Sequence, residues 1–187
     1  MVPVGEALEQ ELDHVANAPT QSGVLDLIVC RPAVDERQVL DAGRLDETDG
    51  LVGDSWRSRG NAKTADGAAD PLAQLNLMSS RVAALVAGPR DRWALAGDQL
   101  FVDFDLAEAS TPAGTRLAIG EAVIEITPKP HRGCAKFAAR FGVDALRLVN
   151  SPVGIALNLR GRNARVIRGG WIRTGDAVTR VSPVPRP

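Results

Sequence analysis

The residues best suited to chemistry lie in the stretch KPHRGCAKF, which covers residues 129–137. Cys134 is one of two cysteines in the chain, and it stands between Arg132 and Lys136. Nearby positive charge favours the thiolate, which is the form of cysteine that attacks electrophiles, carries sulfur and binds metals. The pattern therefore marks Cys134 as a candidate nucleophile, sulfur carrier or metal ligand.

The residues around Cys134 also predict where its thiol sits in a local element. Residues 135–141 have helical spacing and Gly142 follows them, so we expect a short helix that begins directly after Cys134. The unpaired backbone N–H groups and the positive end of the helix dipole would then favour the thiolate. His131 is a further candidate cation, and Gly133 leaves the approach to the sulfur without a side chain. The alternative is an unreactive buried cysteine whose neighbours only cap the helix.

Cys30 has different surroundings, because it ends the apolar run GVLDLIVC. This run predicts a strand, and Cys30 is expected to be a small buried hydrophobic residue. Two cysteines without a signal-peptide pattern favour the reducing cytoplasm, and we expect no Cys30–Cys134 disulfide. The two cysteines and two histidines show no zinc-finger spacing. His131 is too close to Cys134 in sequence for the usual spatially assembled hydrolase pair.

Charge is distributed unevenly along the chain. Residues 1–56 contain twelve acidic residues and three arginines, a net charge of −9, whereas residues 129–175 contain ten basic residues and one acidic residue, a net charge of +9. The two regions could neutralise each other, or the basic one could form an anion site, since clustered arginines bind phosphate and carboxylate. Under the second interpretation, the candidate cofactor-binding residues are Arg132, His131, Lys136, Arg162, Asn163 and Arg165. The last three belong to GRNAR, which we expect to form a turn, and we expect closing strands over residues 163–168 and 176–181.

Composition limits the classes of partner. Aromatic residues make up 4% of the chain and tyrosine is absent, which disfavours a base-stacking nucleic-acid surface. The sequence contains no apolar stretch near the ~20 residues of a membrane span. The expected partner is therefore a small anionic ligand, with no nucleic acid and no membrane.

The pattern along the chain predicts a mainly β fold with several short α-helices. Residues 115–127 alternate on both sides of Gly120-Glu121 and predict a β-hairpin. Many short strands with helices inserted late favour a β-barrel over a repeating βαβ sheet. The expected organisation is a helical extension over residues 1–22, a barrel domain over residues 23–181, and a flexible tail over residues 182–187. We expect residues 57–71 to form a mobile surface loop and residues 169–175 a connection.

Several segments together resemble the MOSC family, which is named for the C-terminal domain of molybdenum cofactor sulfurases. The resemblance runs from about residue 23 to residue 181 and includes GVLDLIV, GLVGD and QLNLMSS. Its most specific part is GEAVIEIT followed by PHRGCAKF. The family implies a β-barrel of the pyruvate-kinase-barrel-like type, as in stand-alone bacterial members.

The same resemblance implies a molybdopterin-type molybdenum cofactor and a cysteine, here Cys134, that carries sulfur or contacts the molybdenum. It implies sulfur transfer for that cofactor, with a cysteine desulfurase, a molybdoenzyme or an electron-transfer protein as partner. The alternatives are a molybdenum-dependent reductase of N-hydroxylated compounds and a non-catalytic anion-binding domain. The chain has no room for the pyridoxal-phosphate domain of the sulfurases, so we expect no pyridoxal-phosphate site in it.

One segment departs from the family pattern. Many relatives have a basic Arg-Arg-Asn stretch before the central strand, where this chain has Asp98 and Gln99. A carboxylate only accepts hydrogen bonds and cannot clamp a phosphate as arginine does. The departure leaves open whether the ligand is the full pterin cofactor or another anion.

Overall fold

The computed structural model describes residues 2–181 and is built around a closed β-barrel. Its strands are β1 (Ser22–Cys30), β2 (Gln38–Leu40), β3 (Ala42–Asp46), β4 (Gly50–Leu51), β5 (Leu75–Ser79), β6 (Leu100–Asp103), β7 (Arg116–Ile119), β8 (Ala122–Ile126), β9 (Arg162–Arg168), β10 (Gly170–Arg173) and β11 (Ala177–Arg180). Its helices are α1 (Glu6–Ala16), α2 (Trp56–Arg59), α3 (Ser80–Ala87), α4 (Ala135–Phe141), α5 (Val143–Val149) and α6 (Pro152–Ala156), with 3-10 helices at Pro71–Ala73 and Arg90–Ala96.

Within residues 2–181, seven strands close the barrel in the order β1, β11, β7, β8, β9, β5, β6 and back to β1. The β5–β6 pair is parallel, and the other neighbours in the ring are antiparallel. β2 pairs with β1 beside the ring, and β10, β3 and β4 form a smaller sheet. The prediction of a mainly β barrel with several short helices is confirmed.

The barrel interior is filled by the inward-facing residues of alternating strands. In the β7–β8 hairpin, Leu117 faces Ile124 and Ile119 faces Ala122, and all four side chains are fully buried. Each large aliphatic side chain buried in this way contributes about 1.5–3 kcal/mol. The interior therefore accounts for the alternating pattern that predicted the hairpin.

A second apolar cluster lies between the barrel and its helices. Met78 of β5 and Phe101 of β6 belong to it, together with Val82 of α3, Phe137 of α4 and Leu148 of α5. These helices are too short to be stable alone, so packing against the barrel holds them in place. The position of α4, and with it that of the Cys134 segment, follows from this cluster.

Two sequence expectations about elements were wrong, and both concern residues 161–173. The strand expected over residues 163–168 is present as β9, but GRNAR is not a turn before it, because the strand already begins at Arg162 and pairs with β5 and β8. The Gly-rich residues 169–175 contain β10, which pairs with β3. In both cases a partner strand distant in sequence supplies the backbone hydrogen bonds, which a local pattern does not reveal. The sequence pattern also did not predict α5, which begins directly after Gly142, the C-cap residue of α4.

The segment predicted as a mobile loop, residues 57–71, contains part of α2 and several turns. The predicted tail, residues 182–187, lies outside the described residues. None of the helices in residues 2–181 combines the length and apolar character needed to cross a membrane.

Candidate functional site

Residues 127–134 connect β8 to α4 and include Cys134. Asn163 of β9 fixes the first half of this loop. The Asn163 Nδ2 donates hydrogen bonds to the carbonyl oxygens of Lys129 (3.0 Å) and Pro130 (3.2 Å). Its Oδ1 accepts a hydrogen bond of 2.7 Å from Asn76. The Asn163 amide is thus engaged within the protein, and it positions the loop.

Gly133 fixes the second half of the loop. Its N–H donates to Asn150 Oδ1 (3.0 Å), and Asn150 Nδ2 donates to the Gly133 carbonyl (3.1 Å). A Cβ at Gly133 would lie 2.7 Å from Leu146 Cδ1 and 2.8 Å from Val149 Cγ2. The glycine is therefore required by packing against α5, a different reason from access to the sulfur. Cys134 follows as the N-cap residue of α4 and is exposed.

A cavity of about 220 Å³ opens beside Cys134. Its walls come from the loop after β1, from α2, from β5 and from the residues before β6. The Cys134 loop, α4 and the residues before β9 complete them. Basic side chains dominate this lining: Arg31, Arg37, Arg59, Lys136, Arg140 and Arg160. We call this space the Cys134 cavity.

Two of these arginines are buried and neutralised by buried carboxylates. Arg31 pairs with Asp54 in a two-pronged arrangement, with Nε–Oδ2 at 2.8 Å and Nη2–Oδ1 at 2.9 Å. Arg160 pairs with Asp98 at 2.7 Å, and its guanidinium lies 5.0 Å from the ring centroid of Phe137. These pairs form the floor of the cavity and hold it together.

Three cations of the cavity lack such a partner. Within residues 2–181, no acidic side chain lies within ion-pair distance of Arg37, Arg59 or Lys136. The Nε of Arg37 is buried and has no hydrogen-bond partner. Burial, followed by repulsion from Arg140 and Arg31, lowers the pKa of Arg37, and burial and Arg31 lower the pKa of Arg59. We call these three side chains the pocket cations, and their surplus charge suits an anion.

Gly97 brings two guanidinium groups together at one side of the cavity. Its φ of +85° lies in the left-handed region, which glycine adopts without strain. A Cβ at this position would lie 3.4 Å from Arg37 Nη2 and 3.5 Å from Arg140 Nη1. Arg140 also pairs with Asp35 at 3.1 Å. The bare backbone of Gly97 thus leaves room for the tips of both arginines.

His131 and Asp98 meet behind the Cys134 cavity. The Nδ1 of His131 lies 3.5 Å from the Oδ1 of Asp98, and Asp98 is fully buried. Burial raises the pKa of Asp98 although Arg160 opposes the effect. Burial, followed by Arg160, Arg31 and Arg132, lowers the pKa of His131 well below its usual value. The imidazole is therefore uncharged at neutral pH and does not supply the positive charge that the sequence suggested.

The remaining predicted cations lie elsewhere. Arg132 and Arg162 line a second cavity of about 150 Å³ on another side of the loop, where Arg162 pairs with Glu108. Arg165 is exposed and pairs with Glu125 at 2.7 Å. The structure thus brings together Cys134, His131 and Lys136, whereas Arg162 and Arg165 already have acidic partners.

The arginines missed by the sequence interpretation lie in the first third of the chain, within or just after the acidic residues 1–56. Arg31 directly follows β1, Arg37 precedes β2 and Arg59 ends α2. Arg31 and Arg37 were counted only as part of the strongly negative residues 1–56, and Arg59 lies just after that region. The one local signal was the pair of arginines in GDSWRSRG, which follows the GLVGD turn.

The two cysteines differ as predicted in their burial. Both are free thiols, with Cys30 4% exposed and Cys134 exposed. Burial raises the pKa of Cys30, and Asp54 adds to the effect. Among the described residues, no group of three histidine, cysteine, aspartate or glutamate side chains is placed to hold a metal ion.

Comparison with known families identifies this arrangement. Residues 94–179 match the family model of the MOSC domain, a segment that includes the hairpin, the Cys134 loop and β9. Over this segment the protein is a MOSC domain. The match supports a function connected with the molybdenum cofactor in general.

Solved structures show the same fold. The chain is similar to the YUAD protein from Bacillus subtilis, with a TM-score of 0.64 and 18% identity over 84% of this chain and 94% of that one. YiiM from Escherichia coli gives a TM-score of 0.56 and 20% identity, over 87% of this chain and 72% of that one. YiiM from Geobacillus stearothermophilus gives a TM-score of 0.52 and 12% identity, over 88% of this chain and 75% of that one. At these identities the likeness concerns the fold alone. No curated protein sequence matches the chain significantly.

Proposed function

We propose that the Cys134 cavity binds an anionic molybdenum-cofactor ligand and that the Cys134 thiolate contacts this ligand or carries sulfur for it. The observation that carries the proposal is the placement of three unmatched cations in the cavity that Cys134 lines. A buried guanidinium nitrogen without an acceptor, as in Arg37, is costly unless a ligand oxygen supplies one.

The size of the cavity limits what it encloses. Its 220 Å³ is below the ~300–1,000 Å³ of typical small-molecule sites. A phosphate-sized group or the anionic end of a larger cofactor fits, and the rest of the ligand would extend through the opening. The residues fit the anionic part of the cofactor, because guanidinium groups bind oxyanions through paired N–H donors.

The departure at residues 98 and 99 has a structural counterpart. Asp98 neutralises Arg160, and the Oε1 of Gln99 accepts a hydrogen bond of 2.8 Å from the Asn76 backbone N–H. Neither side chain is placed to clamp a phosphate. In this proposal the pocket cations take that role, with Arg37 and Arg59 binding oxygen atoms and Lys136 adding charge next to the thiol.

When bound, the molybdenum centre would supply electron transfer together with oxygen or sulfur transfer. The chain itself orients the thiol. Phe137 is 2% exposed and anchors α4 beneath Arg160, while Asn150 clamps Gly133 just before Cys134. The Cys134 thiolate is thus held at the wall of the cavity by neighbours on both sides.

The sulfur-carrier role requires a persulfide donor, such as a cysteine desulfurase. The Cys134 thiolate attacks the terminal sulfur of the donor persulfide. A new S–S bond forms at Cys134, the S–S bond of the donor breaks, and the donor leaves as a thiolate. The transferred sulfur carries no net electron change, so no separate oxidant is needed.

Metal analysis of protein from a molybdenum-competent host tests the ligand. We expect molybdenum in the wild-type protein and its loss in Arg37→Gln and Lys136→Gln. The matched control is Arg165→Gln, which removes an arginine that pairs with Glu125 away from the cavity. Equal molybdenum in all variants would overturn the anion site, as would its absence from the wild type.

Incubation with a persulfide donor tests the thiol. Mass spectrometry should find the mass of one added sulfur atom on Cys134, none on Cys30, and none in Cys134→Ser. Bound molybdenum without persulfide, together with reduction of an N-hydroxylated base by an added electron donor, would favour the reductase alternative. Anion binding with neither molybdenum nor persulfide would leave a non-catalytic anion-binding domain.

A further inference from the structure

One ion pair in the wall of the Cys134 cavity is exposed, unlike the buried pairs on its floor. The Nη2 of Arg140 in α4 donates a hydrogen bond of 3.1 Å to the Oδ1 of Asp35, which lies in the loop after β1. The Asp35 side chain is 70% exposed and that of Arg140 is 22% exposed. Exposed ion pairs contribute little to stability, so an oxygen atom of a ligand can replace this carboxylate at small cost.

Asp35 is also the only acidic side chain that lines the cavity among the described residues. Its backbone has a φ of +61°, in the left-handed region that aspartate and asparagine adopt more readily than most residues. The loop therefore presents a carboxylate to a wall that is otherwise basic. Because asparagine suits the same backbone, an exchange to asparagine removes the charge and keeps the loop.

Arg140 lies beside the pocket cation Arg37. Both guanidinium tips adjoin Gly97, at 3.4 and 3.5 Å from the point where a Cβ would stand. The Nη1 of Arg140 donates a hydrogen bond of 2.8 Å to the Leu95 carbonyl, which holds the group in place independently of Asp35. Burial and then repulsion from Arg140 lower the pKa of Arg37, and the charge of Asp35 raises it. An oxyanion bound to Arg37 can therefore reach Arg140 as well.

We propose that Arg140 is a fourth anion-binding residue of the Cys134 cavity and that Asp35 competes with the anionic ligand for it. The inference rests on the proposed anion site and adds a residue that limits its affinity. Asp35 is tethered beside Arg140, so its effective concentration there is high and an anion must displace it to gain this contact. A ligand with several charged oxygen atoms gains Arg37 and Arg140 together, whereas a weakly bound anion leaves the carboxylate in place.

Calorimetric titration of the metal-free protein with sulfate at low ionic strength tests the competition. We expect Asp35→Asn to bind sulfate about two- to fivefold more tightly than the wild type, the equivalent of one exposed ion pair. The matched control is Asp144→Asn, which removes the same charge from an exposed pair with Arg147 that does not line the cavity. This control should bind sulfate as the wild type does. Equal gains in both variants would reduce the effect to net charge and overturn the role of Asp35.

The arginine of the pair provides an independent test. Arg140→Gln should bind sulfate more weakly than the wild type, whereas the matched control Arg147→Gln should bind it equally well. An undiminished sulfate affinity in Arg140→Gln would exclude Arg140 from the anion-binding residues. The Asp35→Asn result stands even if Arg140→Gln is unstable, because Asp35→Asn retains the hydrogen bond from Arg140 to the Leu95 carbonyl.

A crystal structure of the wild type with sulfate shows the exchange directly. We expect a sulfate oxygen on Arg140 Nη2 and no contact between Asp35 and Arg140. Sulfate bound in the cavity while Asp35 still holds Arg140 would overturn the competition. Equal sulfate affinity of the wild type and Asp35→Asn would refute only the role of Asp35, whereas no sulfate binding by either would refute the anion site together with it. Since no molybdenum enters these experiments, their outcome does not depend on the proposed molybdenum ligand.

Discussion

The arginines of β9 and the pocket cations are chemically alike but occupy opposite electrostatic situations. Arg162 and Arg165 belong to the most basic part of the sequence, yet each pairs with a glutamate, Glu108 or Glu125. The pocket cations include Arg37 from the acidic residues 1–56 and Arg59 just after them, and they have no acidic partner within the described residues. The comparison teaches that unmatched charge in space, and not charge density along the chain, indicates an anion site.

The largest expected effect concerns the buried floor of the cavity. Asp54→Ala leaves Arg31, whose side chain is 7% exposed, without its carboxylate. Removal of one partner from a buried ion pair costs about 3–5 kcal/mol. The free energy of unfolding, measured in urea, should fall by this amount. Asp49→Ala, which removes an exposed partner of Arg57, is the control and should cost about 0–1 kcal/mol. Similar losses in both variants would remove the distinction between buried and exposed pairs.

The next largest effect is expected on the pH dependence of the free energy of unfolding, and it comes from His131. Its pKa is lowered in the folded protein by burial and then by Arg160, Arg31 and Arg132, whereas the unfolded value is ~6.5. Below about pH 6.5, His131 binds a proton in the unfolded chain but not in the folded protein, so the free energy of unfolding falls as the pH falls. This slope approaches about 1.4 kcal/mol per pH unit.

Urea unfolding of the wild type and His131→Gln between about pH 7.5 and about pH 5.5 measures this contribution. The wild type should lose about 1 kcal/mol more than the variant over this range. His14 is present in both proteins and cancels from the difference. Parallel pH dependence in the two proteins would show that the cavity cations do not keep His131 uncharged.

A smaller effect is expected from the pocket cation Arg37, whose replacement should raise the free energy of unfolding. Burial and repulsion by Arg140 and Arg31 disfavour the charged form of Arg37, so Arg37→Gln should raise the free energy of unfolding by about 0.5–1 kcal/mol in low salt. Added sulfate should stabilise the wild type more than it stabilises this variant. A loss of stability in Arg37→Gln without added anion would show that this charge is compensated within the protein.

The smallest effect is expected on β9. Arg165→Ala removes an exposed pair with Glu125, which retains Arg116 as a partner at 2.9 Å. Exposed pairs contribute about 0–1 kcal/mol, and the response to sulfate should equal that of the wild type. A loss of the sulfate response in this variant would place the anion site on β9 and reverse the comparison.

The contrast between the two arginine groups also explains what could be predicted about the site. The exposed thiol of Cys134 and the helix that follows it were predictable, because the N-cap and the helical spacing are contiguous in sequence. Asn163 lies beside the loop, and its contacts could not be predicted. Its amide bonds to Asn76 and to two loop carbonyls, and those partners depend on the pairing of β9 with β5.

The sequence by itself determined the local features of this protein: the alternating hairpin of β7 and β8, the turn glycine before α5, the burial of Cys30 and the helix after Cys134. These depend on side-chain periodicity and turn chemistry within about ten residues. Only the tertiary structure decided which cations remain unmatched and which polar atoms face each other. Arg31, Arg37 and Arg59 meet the Cys134 segment because the barrel closes, and the pairing of His131 with Asp98 depends on the same closure. Electrostatic pairing acts through distance in space, and a count of charges along the chain contains no distances.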